Sequence, residues 1–225
     1  VDGDTELDMN GNQLTITPAP DFNGQVDITV TVTDGELSDS TSFILTVNPV
    51  NDAPLLSQLD DQVINEDDSL TLTLSASDID GDQLYYGASV DNNATVDLSG
   101  TSLTITPDFN YNGSISVTYN VSDGEYLVEN SFILSVSPIN DAPVIADIDD
   151  QEINEDGVLI VELLASDVDG DDLTFSATNG DSEIAIDGTT LTITPPANYN
   201  GSDDVTVTVS DGDLSDSTTF TLTVN

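Results

Sequence analysis

The chain contains no Lys, no Arg and no His. Against this stand 44 Asp and Glu residues, which leave a formal net charge of −44. Such a chain has no electrostatic means of holding nucleic acid or an anionic membrane surface. Cysteine is also absent, which excludes disulfides and thiolate metal sites. Without His, Cys, Lys or Arg, most general-base and nucleophile arrangements cannot be built. Two carboxylates could still hydrolyse a glycoside. Here, however, the acids recur with an internal repeat, and an active site seldom recurs in every copy, so the chain is not expected to be an enzyme. No apolar run approaches the ~20 residues that span a bilayer, and no membrane insertion is expected within this segment.

An acid excess of this size suggests disorder only where hydrophobicity is low. The hydrophobic fraction is 37% and is regularly patterned. Leu70, Leu72, Leu74 and Ala76 alternate with Thr and Ser. Val117, Tyr119 and Val121 alternate with polar residues, as do Phe132, Leu134 and Val136. A period of two over short β-branched runs predicts strands with one buried face. Asp-Gly and Asn-Gly pairs and prolines punctuate the runs. No helical period is evident. The reading is all-β: tandem Greek-key sandwiches of about seven antiparallel strands each.

The repeat is explicit. Asn51-Asp52-Ala53-Pro54 returns as Asn140-Asp141-Ala142-Pro143, an offset of 89 residues. Leu-Thr-Ile-Thr-Pro occurs at 14–18, 103–107 and 191–195. A repeat of about 90 residues can bury its own core. The expected domains are a partial module over 1–49, with complete modules over 50–138 and 139–225. In the first, Gly3-Asp4-Thr5-Glu6 aligns with Gly180-Asp181-Ser182-Glu183, so Val1 falls mid-repeat. The pattern reads as a window on a longer array, with neighbouring modules of the same chain as its first partners. The linkers are short and contain Pro but no Gly, which biases them toward extended conformations.

The most unusual stretch is Asp78-Ile79-Asp80-Gly81-Asp82, repeated as Asp167-Val168-Asp169-Gly170-Asp171. Carboxylates ~4 Å apart repel by roughly 1 kcal/mol per pair even in bulk water. The chain has no cation of its own to offset this. Clustered carboxylate and amide oxygens suit a hard cation, Ca²⁺ above all. The stretch is not an EF-hand loop. Gly81 stands at its fourth position instead of the sixth, and Ser89 or Thr178 stands where the twelfth-position Glu should be. Asp60-Asp61 and Asp149-Asp150 read as surface acids. Tyr111 and Tyr199, beside Asn-Gly turns, read as packing at the sandwich edge.

Taken together, these motifs resemble the cadherin-like tandem modules of large repetitive bacterial surface adhesins and, more distantly, the animal cadherin repeat. The Asn-Asp-Ala-Pro linker is similar to the cadherin Asp-x-Asn-Asp-Asn-x-Pro linker. Glu66 and Glu155 stand at the module-base glutamate. Asp78 and Asp80, with Asp167 and Asp169, stand at the Asp-x-Asp pair. Asp123 and Asp211 stand at the Ala-x-Asp-x-Gly aspartate. The resemblance implies Ca²⁺ between modules. One junction would use Asn51, Asp52, Asp78, Asp80 and Asp123. The next would use Glu66, Asp67, Asn140, Asp141, Asp167, Asp169 and Asp211. Asp82 and Asp171 are additional candidate ligands. It also implies an extracellular, cell-surface structural role: a calcium-stiffened stalk in cell adhesion. The alternative is a subunit of a self-associating, calcium-dependent extracellular filament or matrix, with homotypic contacts.

Overall fold

The computed structural model describes residues 5–225. The Gly3-Asp4 part of the repeat alignment lies outside them. Among the described residues every regular element is a strand, as the alternating pattern predicts. The chain divides into two compact units. One comprises Val1–Asp108 with Gly113–Val136, and the other Phe109–Asn112 with Ser137–Asn225.

The second unit shows the architecture plainly. A four-stranded sheet runs Gln151–Ile153, Ser215–Val224, Gly201–Ser210, Thr174–Thr178. A three-stranded sheet runs Leu159–Glu162, Thr190–Thr194, Glu183–Asp187. Val144–Ile145 pairs with Ala165–Ser166 beside them. The core consists of the inward set of each strand: Val205, Val207 and Val209 from one, Phe220, Leu222 and Val224 from its partner, with Leu191 and Ile193 from the facing sheet. Each such side chain gains about 1.5–3 kcal/mol on burial. Tyr199 packs against this cluster, in keeping with its reading as edge packing.

One feature corrects the antiparallel expectation. Gln151–Ile153 runs parallel to Ser215–Val224, with Ile153 opposite Val224. The entering chain first pairs antiparallel at Val144–Ile145, then crosses to the other sheet without reversing direction. It therefore runs alongside the last strand in the same direction. Asn225 N–H donates to Ile153 O (2.9 Å), and Glu155 N–H donates to Asn225 O (2.7 Å).

The first unit repeats the plan over residues 55–136. Its four-stranded sheet runs Gln62–Asn65, Leu127–Ser137, Gly113–Ser122, Tyr85–Val90, and its three-stranded sheet Ala94–Ser99, Ser102–Pro107, Leu70–Thr73. Leu55–Leu56 pairs with Ala76–Ser77. Tyr119 is buried with its ring tilted 56° to that of Phe132, centroids 6.1 Å apart. A buried phenol needs a partner; here Leu59 N–H donates to it (2.7 Å) and it donates to Ser57 O (3.2 Å). Ahead of this sandwich stand two hairpins: Thr5–Asn10 with Gln13–Pro18, and Gly24–Thr33 with Ser38–Val47.

Asp61 and Asp150 do more than solvate the surface. Asp61 Oδ1 accepts from Ile133 N (2.8 Å) and Asp150 Oδ1 from Thr221 N (2.7 Å). Each satisfies a backbone donor on a long strand that would otherwise lack a ladder partner.

Candidate metal centre

Each Asp-x-Asp-Gly-Asp stretch forms a tight loop built on its first residue. Asp78 Oδ1 accepts from Asp80 N (2.9 Å), Gly81 N (3.0 Å) and Asp82 N (3.3 Å). Asp167 Oδ1 does the same for Asp169 N (2.9 Å), Gly170 N (3.1 Å) and Asp171 N (3.4 Å). The turn needs a left-handed residue, and glycine supplies it: φ is +80° at Gly81 and +81° at Gly170. Carboxylate oxygens of Asp78, Asp80 and Asp82 come within 4.8 Å of one another, as do those of Asp167, Asp169 and Asp171.

The linkers dock onto these loops. Asp52 N–H donates to Asp80 Oδ2 and Asp141 N–H to Asp169 Oδ2, both at 2.8 Å. Asn51 Nδ2 donates to Asp123 Oδ2 (2.9 Å), and Asn140 Nδ2 to Asp211 Oδ2 (3.0 Å). Asp123 and Asp211 in turn organise the next loop. Asp123 Oδ1 accepts from Glu125 N (2.7 Å) and Tyr126 N (2.6 Å), and Asp211 Oδ1 from Asp213 N (2.7 Å) and Leu214 N (2.6 Å).

Thus Asn51, Asp52, Asp78, Asp80 and Asp123 converge in the first unit, with Asp82 on the same loop. Asn140, Asp141, Asp167, Asp169 and Asp211 converge in the second, with Asp171 on the same loop. Glu66 and Asp67 follow strand Gln62–Asn65 in the first unit, and Glu66 is the buried carboxylate among the described residues.

The electrostatics divide the carboxylates into two kinds. Desolvation and then repulsion from Asp21, Asp80 and Asp78 hold Asp52 above the usual carboxylate range. Desolvation and repulsion from Asp167, Asp169 and Asp211 do the same to Asp171. Asp211 lies below that range because backbone N–H groups, Leu214 first, bond its charged form. At Asp123 desolvation pulls upward but is outweighed by donors from Tyr126, Glu125 and Asn51. The second pair therefore has its charge balanced by donors, and the first pair does not.

Two atoms bear on what balances the rest. Asp78 Oδ2 and Asp167 Oδ2 are buried and accept no hydrogen bond. A buried, unsatisfied carboxylate oxygen is costly unless a cation or donor meets it. The surrounding donor set is all oxygen, the set that Ca²⁺ takes six to eight of. The residues present fit that ion.

A neighbouring acid, Asp21, is not revealed by the motifs. It lies in the loop before Gly24–Thr33 and lines a cavity of about 250 Å³ with Asp52 and Asp80. A signal for it exists. Position 21 recurs as Asn110 and Asn198, each two residues before an Asn-Gly pair. All three adopt left-handed backbone, with φ of +58°, +55° and +58°, a conformation that Asp and Asn tolerate better than other non-glycine residues.

Comparison with known proteins matches this architecture. The chain is 35% identical over 134 residues to a protein named chitinase A from Pseudoalteromonas piscicida; the match takes in 58% of this chain but only 16% of that one. Among solved structures, PcdhgB3 EC1-4 superposes with a TM-score of 0.55 at 19% identity, over 98% of this chain and 64% of that one. Human Protocadherin-24 EC1-2 gives 0.50 at 19% identity, over 78% of this chain and all of that one. At such identities the likeness concerns the fold, a cadherin-like or Ig-like β-sandwich. The model of the bacterial Ig domain matches residues 1–47, 51–132 and 140–225. The chain therefore belongs to the bacterial Ig domain family, as a tandem array.

Proposed function

We propose that the chain is a calcium-binding extracellular spacer whose repeats are stiffened by the ion, and that it has no catalytic role of its own. The buried, unsatisfied Asp78 Oδ2 and Asp167 Oδ2 carry this reading, in a chain with no Lys, Arg or His to meet them. Asn51, Asp52, Asp78, Asp80 and Asp123 would hold one ion, with Asp82 as an additional donor. Asn140, Asp141, Asp167, Asp169, Asp171 and Asp211 would hold another. Glu66 and Asp67 enter this set from the cadherin resemblance.

The ion supplies two positive charges where carboxylates crowd. What the chain contributes is pre-organisation. Backbone N–H groups already orient Asp78 and Asp167, and the linker amides already sit on Asp80 and Asp169. Binding therefore orders few new groups, and most of its free energy goes into stabilising the docked linker.

The same spacer suits a surface adhesin or a multidomain hydrolase. The similarity to a stretch of a protein named chitinase A favours the second setting as an alternative host. Calorimetric melting with Ca²⁺ and with excess chelator tests the reading. Ligand at a hundredfold over Kd stabilises by about 2.7 kcal/mol per site. A clear fall in Tm on chelation is expected, and an unchanged Tm would contradict it.

A further inference from the structure

We propose that the sandwich over residues 55–136 carries a binding groove for a neutral glycan, built on Tyr85 and Tyr86 at the side of the module. The inference is independent of the calcium reading above, since none of the candidate ion ligands lines the groove.

Two edge strands make the groove. Tyr85–Val90 ends one sheet and Ala94–Ser99 ends the other, so no further strand covers this side. Between the start of the first and the turn that follows the second lies a cavity of about 460 Å³, within the roughly 300–1,000 Å³ of ordinary ligand sites. Half-buried Leu84 and Leu98 line it together with the two tyrosines, and exposed Gln83 and Thr101 add polar groups. Tyr85 is 61% exposed. No lining residue carries a charge, in a chain with 44 Asp and Glu.

The third repeat has the same frame without these groups. Tyr85 stands opposite Ser122 as Thr174 stands opposite Ser210, and Leu98 opposite Leu103 as Ile186 opposite Leu191. The turn glycines match, with φ of +62° at Gly100 and +61° at Gly188. Thr101 O accepts from Leu74 N, and Thr189 O from Leu163 N, both at 2.8 Å. On this shared frame Gln83 replaces Asp172, Tyr85 replaces Thr174 and Tyr86 replaces Phe175. Thr73 also replaces Glu162, the carboxylate that takes the Thr189 hydroxyl. An isolated exposed tyrosine needs no ligand. Here two phenols are gained where two carboxylates are lost, and the third repeat folds without the change.

The lining selects the ligand. The chain as a whole repels anions, and a cation is drawn to the acidic loops ahead of an uncharged groove. What fits is a neutral molecule with a flat apolar face and a fringe of hydroxyls. A β-linked hexose polymer has that form. Its axial C–H groups lie against a tyrosine ring while its equatorial hydroxyls reach amide and hydroxyl groups beside it. Gln83 Nε2 donates to Leu84 O (3.2 Å), which holds the amide in place and leaves its oxygen to accept from a sugar hydroxyl. The Thr101 hydroxyl, with no carboxylate at position 73, is free of the bond that occupies Thr189.

Hydrogen–deuterium exchange of the whole chain, titrated with cellohexaose and in parallel with N-acetylated chitohexaose, reads the groove directly. The neutral sugars are expected to protect amides of residues 84–86 and 98–101 and to leave the matching segments 173–175 and 186–189 unchanged. The lower midpoint of the two tells whether plain or N-acetylated rings are preferred. Tyr85→Thr introduces the residue that the third repeat carries at the same register, so the strand is kept. It is expected to raise the midpoint about tenfold through loss of the stacking ring. Tyr86→Phe keeps the ring, removes the phenol and is expected to raise it by a few-fold. Alginate, an anionic polymer, is expected to leave 84–86 unprotected. No protection by either neutral sugar, protection that Tyr85→Thr does not weaken, or equal protection in the third repeat would overturn the groove. Protection by alginate, or by a proline-rich peptide in place of the sugars, would overturn the neutral glycan as its ligand.

Discussion

The hairpins Gly24–Thr33/Ser38–Val47 and Gly201–Ser210/Ser215–Val224 are the same object in two surroundings. Their registers coincide: Ile28 faces Phe43 as Val205 faces Phe220, and Val32 faces Asp39 as Val209 faces Asp216. Their turns coincide as well, for Asp34 Oδ1 accepts from Glu36 N and Leu37 N just as Asp211 Oδ1 accepts from Asp213 N and Leu214 N. Yet Val32 is 69% exposed where Val209 is fully buried, and Phe43 is 44% exposed where Phe220 is 2%. The later hairpin has Thr174–Thr178 on one edge and Gln151–Ile153 on the other, with a second sheet across from it. Among the described residues the earlier one pairs only within itself. Hairpin and loop geometry therefore follow from local chemistry, and burial follows from neighbours. The acidic loops belong to the first kind, since the bonds that shape them run within five residues.

The sharpest way to break this comparison is truncation at equivalent positions. Phe220→Ala should cost about 3–5 kcal/mol. Phe43→Ala should cost a small fraction of that, because its ring is already half in water. Chemical denaturation of both variants checks it; equal losses would mean that the two hairpins are equally packed in solution. Next in size is the metal. Asp167→Asn together with Asp169→Asn should abolish calcium-dependent stabilisation of the second unit and leave the pattern of protection in 80–82 intact. A loss at both loops would contradict independent sites.

The difference between the two complete sandwiches gives a smaller effect. Tyr119 occupies the position of Val207 and adds a phenol that bonds Leu59 N and Ser57 O. Tyr119→Phe leaves the partly buried Leu59 N–H without its acceptor and should cost about 1 kcal/mol, seen as a lower denaturation midpoint. The smallest effect is one of pH. Hydrogen bonds from Leu37 N and Glu36 N hold Asp34 below the usual carboxylate range. A depressed native value means that the stabilisation is complete above the unfolded value of about 3.9 and is lost as pH falls through the native one. Asp34→Asn should therefore differ from the parent at neutral pH and converge with it in acid. A difference that persists at low pH would locate the effect elsewhere.

Much of the fold is legible because its causes are local. The alternation over Ile115, Val117, Tyr119 and Val121 identifies a strand and its buried face, since a period of two admits one assignment. Asp-x-Asp-Gly-Asp identifies a turn and a candidate ligand loop, since both depend on residues within five positions. The pairing of Asn51 with Asp123 joins residues 72 apart and becomes legible only through the family resemblance. Three features escape. The parallel seating of Gln151–Ile153 depends on where the chain crosses between sheets. The bonds from Asp61 and Asp150 depend on the register of a distant strand. The approach of Asp21 to Asp52 depends on how one repeat meets the next, which no single repeat encodes.

The stiffening role has its own reading in scattering: chelation should reduce the largest dimension of the chain in solution, and identical profiles with and without Ca²⁺ would count against it. The central claim, that a divalent ion meets the buried carboxylate oxygens, is tested most directly by anomalous diffraction from crystals grown in Ca²⁺. The account predicts a peak within about 2.3–2.6 Å of both Asp78 Oδ2 and Asp167 Oδ2. Well-ordered loops with no peak at either oxygen, in calcium-saturated crystals, would contradict it.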